Sequence, residues 1–296
     1  MRKIKEDIVP SSPPPAPAVA RELFSFGRLR EYGQTYGTFA ALILLIIFNI
    51  VVTPHFLSAQ TVSTNLYQVA GTVILAMGMT LVIATGGIDL SVGSVMSIAL
   101  SSVVVALTST HGVWIAFASA VLAGLGVGLF NGFVITRMHV PPFVATLASL
   151  LGVRGLALYF SNEHNVPVTG SELLNFGNSD ILGIPNPVIV LVLAFVVGII
   201  VLNYSRFARH LLAIGGNEET ARLLGIRVNA TLMGAYALSG ALAGLAGVFM
   251  AIQTYTGSGN LANGYELSAI ASVVVGGTLI SGVKARSSEP SSVYCC

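Results

Sequence analysis

Long apolar runs separated by short polar segments fill the chain from residue 38 onward. A helix needs about 17 to 25 apolar residues to cross the hydrocarbon core of a bilayer. No run shows the alternating, turn-punctuated pattern of a membrane β-barrel. The pattern therefore predicts an all-α fold, a polytopic helical membrane protein with about eight transmembrane helices. The predicted spans, in a transmembrane domain at 38–282, are 38–52, 66–84, 91–109, 113–135, 143–160, 187–203, 231–251 and 266–282.

The composition agrees with a chain that lies mostly in lipid. Charged residues make up 9% of the sequence and hydrophobic residues 54%, whereas a soluble domain has about 25% charged residues. Residues 1–37 are polar, and the proline-rich stretch at 11–20 disfavours a helix. We therefore expect a flexible cytoplasmic tail followed by a first span that is retained rather than cleaved as a secretory signal. The two cysteines, Cys295 and Cys296, offer neither a disulfide framework nor the spacing of a metal site.

The distribution of positive charge predicts the orientation of the spans. With the amino terminus inside, the inner segments hold thirteen of the fourteen Lys and Arg residues, and the remaining one, Arg154, lies within a span. Because cytoplasmic loops of membrane proteins are enriched in Lys and Arg, we expect a cytoplasmic amino terminus. The net charge of +2 thus reports topology and does not point to a nucleic-acid partner. The outer loop at 161–186 carries acidic residues instead, namely Glu163, Glu172 and Asp180.

The stretch AIGGNEETARLLGI at 213–226 has the pattern of a short capped helix within the largest inner loop, at 204–230. Asn217 can act as the N-cap, and Glu218 then falls in the first turn, where the helix dipole favours acidic side chains. Gly225 suits the left-handed residue that ends a helix. We therefore predict a helix of about two turns.

Such a helix needs a surface to pack against, because isolated helices are marginal below about 12 to 15 residues. Arg222 follows Glu218 by four residues, the favourable spacing for an ion pair, and Ala221 with Leu224 offers a small apolar face. Two interpretations remain open from the residues alone. The segment is either a linker helix on the membrane surface or a projection that binds a cytoplasmic partner.

Glycines recur at helical spacing in two spans. Gly124, Gly128 and Gly132 follow one another every four residues, as do Gly240 and Gly244. Small residues at this spacing let helix backbones approach closely in lipid. We expect packing within one subunit, with a dimer seam as the alternative.

Four ordered blocks of the sequence resemble one family of membrane proteins. GGIDLSVGSVMSIAL at 86–100, NGFVITRMHVPPFVATLASLLGVRG at 131–155, the stretch at 213–226 and YELSAIASVVVGGT at 265–278 are similar to blocks of the ribose/xylose-type sugar permeases. These proteins are membrane subunits of bacterial ABC importers. The related branched-chain amino-acid permeases share the general architecture but differ in amino-acid sequence in the first and third blocks.

The resemblance implies a multi-pass permease of the bacterial inner membrane that is not itself an enzyme. Its implied partners are cytoplasmic ATPase subunits, a second permease subunit in a homo- or heterodimer, a periplasmic sugar-binding protein and membrane lipid. ATP and magnesium would be bound by the ATPase, and we expect no cofactor on this chain, which has no phosphate-binding loop.

The resemblance also implies that residues 215–226 enter a groove on the ATPase. In this interpretation Glu218 and Glu219 make polar contacts with the partner and Ala221 permits a close approach. Gly215 and Gly216 would let the chain turn near that surface. The implied coupling residues are Gly215, Gly216, Asn217, Glu218, Glu219, Ala221, Arg222 and Gly225.

Four polar residues are candidates for the translocation pathway or its gate: Asp89, Ser91, Asn131 and Arg154. Asp89 or Ser91 can cap the helix that follows, and the alternative is a broken-helix site that faces substrate. Arg154 would cost about 2.5 to 3.5 kcal/mol at a helix centre. We expect it to snorkel outward or to pair internally rather than to contact sugar directly.

Two other functional classes fit the chain less well. An ion-coupled secondary transporter would place ionisable residues inside the spans, where only Arg154 plainly lies. An intramembrane enzyme needs clustered catalytic residues, whereas the five histidines are scattered through loops and span ends.

The last residues depart from the pattern of the family. Its members carry about ten spans, with two further helices after the GGT block, whereas residues 283–296 are short and polar. We expect a shifted reading frame or a truncated gene, with a natural short variant as the alternative. A chain lacking two helices would insert poorly or fail to support uptake.

Overall fold

A computed structural model describes residues 26–101, 112–168, 172–181 and 183–276. Most of the tail predicted at 1–37, parts of the spans predicted at 91–109 and 266–282, and the aberrant tail predicted at 283–296 lie outside these residues. The helices are α1 (Phe26–Val52), α2 (Ala59–Ile83), α3 (Val92–Ala99), α4 (Val113–Arg137), α5 (Pro142–Ser161), α6 (Glu172–Asn178), α7 (Asn186–Tyr204), α8 (Arg206–Gly216), α9 (Glu218–Leu223), α10 (Val228–Thr254) and α11 (Tyr265–Val275). The strands are β1 (Val166–Pro167), β2 (Asp180–Ile181), β3 (Ile184–Pro185) and β4 (Thr256–Gly257).

The all-α prediction is confirmed. Five helices of the described part are long and apolar enough to cross a membrane, namely α2, α4, α5, α7 and α10. Within the span predicted at 91–109, the described residues are helical only over α3, and within 266–282 only over α11. The short strands pair in two ribbons, β1 with β4 and β2 with β3.

Helix α1 begins earlier than its sequence pattern predicts. It starts at Phe26, so residues 26–37 are helical rather than part of a flexible tail. The prolines that disfavour a helix end at Pro17, and the following polar segment contains none. The chain divides after Pro54 into two compact units, and α1 belongs to the first. The second unit, from His55 onward, holds the other helices and both pairs of strands.

Helix α10 forms the centre of the second unit. It packs against α2, α3 and α4, and 78% of its most apolar window is buried, against 17–44% for the other four long helices. Its glycines permit this contact. A Cβ atom added to Gly124 of α4 would overlap the backbone oxygen of Gly240, and one added to Gly244 would overlap that of Ala120. The glycine spacing therefore serves packing within one subunit, as expected.

The two ends of this bundle carry opposite charge. At one end α4 finishes, α8 and α9 follow α7, and α10 begins; we call it the basic end, after Arg137, Arg206, Arg209, Arg222 and Arg227. The other end holds α6 and both ribbons; we call it the acidic end, after Glu163, Glu172 and Asp180. Here Phe117 lies edge-on to Phe176 and Phe249, with ring centroids 5.6 and 6.0 Å away.

Two segments without helical structure lie inside the bundle. The first break, residues 84–91, leaves the basic end, where Ala84 contacts Gly215, and leads to the start of α3. The second break, residues 255–264, leaves the acidic end, where β4 pairs with β1, and leads to the start of α11. Irregular backbone at membrane depth is tolerated only where protein covers it or where it lines a cavity. In both breaks the path of the backbone is therefore fixed by tertiary contacts with the surrounding protein.

Candidate functional site

The charged segment at the basic end forms the predicted short helix, α9, which we call the coupling helix. Asn217 caps it, since its Oδ1 accepts a hydrogen bond from the Thr220 amide at 2.8 Å. Gly225 ends it with a φ of +80°. Arg222 donates to Glu218 Oε1 at 2.8 Å, and both side chains are more than half exposed. The cap, the ion pair and the glycine stop are all confirmed, although an exposed pair of this kind contributes only about 0.3 to 0.5 kcal/mol.

The coupling helix is anchored through Ala221, which is only 1% exposed. Ala221 packs in a cluster with Ile214 of α8 and Val228 of α10, and its carbonyl accepts from the Ile226 amide at 3.1 Å. The prediction that Ala221 gives a partner a close approach is therefore wrong. The helical period turns this residue toward the bundle, where it supplies the packing surface that so short a helix needs.

The prediction of a turn at Gly215 and Gly216 is also wrong. Both residues are the last two of α8, and the chain turns at Asn217, which has the extended values φ −162° and ψ 111°. A Cβ atom on Gly215 would overlap the carbonyl oxygen of Ala84. Glycine is therefore needed there because α8 packs closely on the start of the first break, not because the backbone bends.

Two leucines that are not among the predicted coupling residues dominate the exposed surface of this region. Leu223 is 84% exposed and Leu224 is 74% exposed. They follow directly on the exposed Glu218, Glu219 and Arg222. Leu224, expected on the same face as Ala221, lies past the last helical turn and points away from the cluster. Apolar residues beside a charged rim form a compact surface of the kind that protein partners bind.

A polar network holds the first break in place. Asp89 is fully buried, and its Oδ1 accepts hydrogen bonds from the Ser91 amide at 3.0 Å and from Ser91 Oγ at 2.6 Å. Its Oδ2 accepts from Ser239 Oγ of α10 at 2.9 Å. Asp89 therefore binds the amide of the residue before α3, and the Ser91 side chain makes no capping bond to the helix. The expected helix cap is replaced by contacts that tie the break to α10.

The same network continues into two further helices. Asn131 of α4 donates to Ser91 Oγ at 2.9 Å, and Ser149 of α5 donates to Asn131 Oδ1. Thr146 of α5 donates to the carbonyl of Ile88 at 3.1 Å. Three of the four predicted pathway residues, Asp89, Ser91 and Asn131, thus meet in one site, whereas Arg154 lies elsewhere. Because buried polar networks stabilise only when satisfied, this one fixes the path of the chain through the bundle.

Arg154 pairs internally, as predicted. Its Nη1 donates to Asn263 Oδ1 in the second break at 2.5 Å, and its Nη2 lies 3.8 Å from Glu266 Oε2 in the first turn of α11. We call Arg154 and Glu266 the central ion pair. Glu266 is not among the residues predicted from the sequence, although a single carboxylate at the start of the apolar run YELSAIASVVV is a signal of such a site.

The central ion pair lies where both breaks end. A Cβ atom on Gly93, the second residue of α3, would overlap Glu266 Oε2 and approach the Ala262 carbonyl to 3.1 Å. Arg154 is the thirteenth of the twenty residues of α5, so it lies about 18 Å along a helix of about 30 Å. Glu266 therefore sits deep in the bundle, at the positive end of the α3 dipole, which favours a carboxylate.

The sequences of the two breaks are similar to each other. TGGIDLSVG at 85–93 and TGSGNLANG at 256–264 share threonine, glycine, leucine and glycine at matched positions, and Asp89 corresponds to Asn260. Each follows a long helix and precedes a shorter one, and they enter the bundle from opposite ends. Inverted repeats with discontinuous helices are a recurring transporter architecture.

Comparison with known proteins assigns the chain to a family. The family model described as "Branched-chain amino acid transport system / permease component" matches residues 61–288. The ribose import permease of Bacillus subtilis (strain 168) is 39% identical over 257 residues, which cover 86% of this chain and 79% of the relative. The chain belongs to the sugar ABC permease family. No solved structure matches it.

Two further relatives show the same kind of similarity to this permease. The ribose import permease of Escherichia coli (strain K12) is 35% identical over 83% of this chain and 78% of its own length. The L-arabinose transport system permease of the same organism is 33% identical over 88% of this chain and 78% of its own length. The permease is a transport subunit rather than an enzyme, a multi-pass protein of the inner membrane that acts with ATPase and substrate-binding partners.

Proposed function

We propose that this permease carries a monosaccharide of the ribose or arabinose type across the bacterial inner membrane. The observation that supports the substrate class is the 39% identity, over 86% of the chain, to a ribose import permease. The family model also carries the name of branched-chain amino-acid systems, which makes a branched-chain amino acid the second candidate.

The proposed orientation places the basic end in the cytoplasm. Five arginines lie at this end of the described bundle and three acidic residues at the other. Because cytoplasmic segments are enriched in Lys and Arg, this arrangement puts the coupling helix on the side where ATP is available. We also propose a cytoplasmic amino terminus, because residues 1–37 hold six Lys and Arg residues. The acidic end of the bundle would face a periplasmic sugar-binding protein.

The proposed ATPase contact uses the exposed part of the coupling helix. Leu223 and Leu224 form its apolar part, and Glu218, Glu219 and Arg222 form its charged rim. Ala221 and Gly215 contribute through packing, because they fix the coupling helix and the end of α8 against α10 and the first break. Closure of the ATPase on ATP and magnesium, which it binds itself, would move the coupling helix and the membrane helices packed on it as near-rigid bodies. A second permease subunit, identical or homologous, completes the importer.

The experiment that tests this function is uptake by the complete importer. The permease is coexpressed with its ATPase and binding protein in cells that lack endogenous uptake of ribose, arabinose and leucine, and the three labelled compounds are offered separately. The proposal expects ATP-dependent accumulation of a pentose and none of leucine. Accumulation of leucine alone would contradict it and support the second candidate.

A further inference from the structure

The central ion pair is incomplete although it is buried. Glu266 is 8% exposed, and the side chain of Arg154 is 16% exposed. Within the described residues, Arg154 Nε, Arg154 Nη2 and Glu266 Oε2 are buried without a hydrogen-bond partner. Charged residues inside a membrane bundle are costly and generally mark a pathway or a relay. Three unsatisfied charged atoms at one place therefore need an explanation beyond packing.

The geometry does not suit an ion pair whose only role is to hold two helices together. Arg154 Nη2 and Glu266 Oε2 are 3.8 Å apart, whereas N–H to O hydrogen bonds are about 2.7 to 3.2 Å long. A pair that only held α5 against α11 would be most stable in the direct, bidentate contact that arginine and carboxylate readily form. Instead Arg154 bonds to Asn263 through Nη1. Its remaining donors and the free carboxylate oxygen stay available to a third group.

The site opens toward an exposed face rather than into the closed core. Asn263 is exposed, and the exposed face of α11 below it carries the hydroxyls of Ser268 and Ser272. Gly93 leaves the space that the Glu266 carboxylate occupies. Asn263 therefore connects the central ion pair to the exposed face of α11, which carries apolar residues as well as these two hydroxyls. A charged pair open to such a face would be unfavourable in lipid, so the site is better suited to a solute pathway beside a second permease subunit.

We propose that Arg154, Asn263 and Glu266 form a hydroxyl-binding site for the sugar on its way through the permease. This inference rests on the proposed function and names the site at which it acts. Arginine N–H groups donate, and the glutamate oxygen accepts, so neighbouring sugar hydroxyls satisfy both at once. The opposite charges cancel, which suits a neutral polyhydroxylated solute. The site lies where the two breaks end, as expected for a discontinuous-helix transporter.

The test uses the complete importer in proteoliposomes, with its ATPase and its binding protein, and labelled ribose and arabinose as probes. Glu266→Gln keeps the shape of the side chain and removes its charge, and Arg154→Lys keeps the charge and removes the planar fork. Each substitution is expected to lower pentose uptake at least about tenfold, because a buried hydrogen bond to a charged group is lost. ATP hydrolysis without sugar should change by less than about twofold. Arg206→Lys, at an exposed position outside both the central site and the coupling helix, is the matched control for the change of arginine to lysine and should leave uptake unchanged.

A second measurement separates sugar binding from structural support. Uptake of ribose is compared with uptake of its monodeoxy analogues, at saturating binding protein, in the original permease and in Glu266→Gln. A hydroxyl-binding site predicts that the original permease discriminates against at least one analogue and that Glu266→Gln loses this discrimination. A purely structural role would lower all sugars by the same factor, which would overturn the proposal.

A third measurement uses the double variant Arg154→Glu with Glu266→Arg, in which the two residues exchange places. It restores opposite charges but reverses the positions of donors and acceptor, so uptake should remain low. Full recovery of uptake would show that the pair is only a structural ion pair between α5 and α11. That result would overturn the proposed sugar site while leaving the proposed function intact. If the original importer carries neither pentose, the proposed function fails, and the site fails with it.

Discussion

The coupling helix and the central ion pair differ in how far apart along the chain their parts lie. In the coupling helix the cap joins residues three apart and the ion pair joins residues four apart. In the central site Arg154 reaches Asn263, 109 residues further on. The first obeys rules of local structure, whereas the second exists only after the bundle has assembled. The comparison teaches that charge near the membrane surface can be interpreted residue by residue, but charge within the bundle cannot.

The largest expected effect concerns the first break, where Asp89 joins both its neighbour Ser91 and the remote Ser239, 150 residues further on. Asp89→Ala removes the acceptor of three hydrogen bonds and leaves Ser91 and Ser239 unsatisfied in the core. Because each buried polar group left unpaired costs about 1 to 3 kcal/mol, we expect a loss of about 3 kcal/mol or more. Thermal unfolding of the detergent-solubilised permease measures it.

The control for Asp89→Ala is Asp180→Ala at the acidic end. It removes one exposed hydrogen bond, from the Gly183 amide, and should cost about 1 kcal/mol or less. A normal unfolding midpoint for Asp89→Ala together with lost uptake would contradict the structural role. That result would make Asp89 a gate residue, the alternative that its sequence position left open.

The next effect tests how the breaks fit together. Gly93→Ala places a methyl group on the Glu266 carboxylate and close to the Ala262 carbonyl. Overpacking of this kind costs about 1 to 3 kcal/mol, and we expect Glu266 to shift, with pentose uptake falling several-fold. Gly126→Ala is the matched control, since a Cβ atom there meets nothing within 4 Å. Equal uptake by both variants would show that α3 and α11 do not meet as described.

Features that depend on local structure or on composition could be predicted from the sequence. The fold class, the Asn217 cap and the Gly225 stop follow from helix periodicity and capping, and the glycine spacing predicted intrachain packing. Ala221 and Gly215 were assigned to a partner because a sequence does not show which face of a short helix the bundle covers. Glu266 was missed because its role depends on Arg154 and Gly93, which adjacency in the sequence does not reveal.

The third effect separates the exposed from the buried part of the coupling helix. Leu223→Glu with Leu224→Glu changes two exposed side chains, so stability should change by less than about 0.5 kcal/mol. If these leucines bind the ATPase, losing them should weaken copurification of the ATPase by about tenfold, as for a binding hot spot.

Ala221→Glu is the contrasting variant of the coupling helix. It places a charge in the cluster of Ile214 and Val228 and should lower stability first and coupling only as a result. Retained ATPase binding by the double leucine variant would exclude this surface from the interface.

The smallest effects test the local rules themselves. Asn217→Ala removes the cap and should cost about 1 kcal/mol of helix stability, whereas Glu218→Gln removes an exposed ion pair worth about 0.3 to 0.5 kcal/mol. Hydrogen exchange of the amides at 218–223 measures both, and only the effect of Glu218→Gln should shrink in high salt. Because Ala221 anchors the helix, neither change should unfold it. If Asn217→Ala alone melts the segment, then its packing on Ile214 contributes less than its cap, and the coupling helix depends on local interactions even more than its sequence suggests.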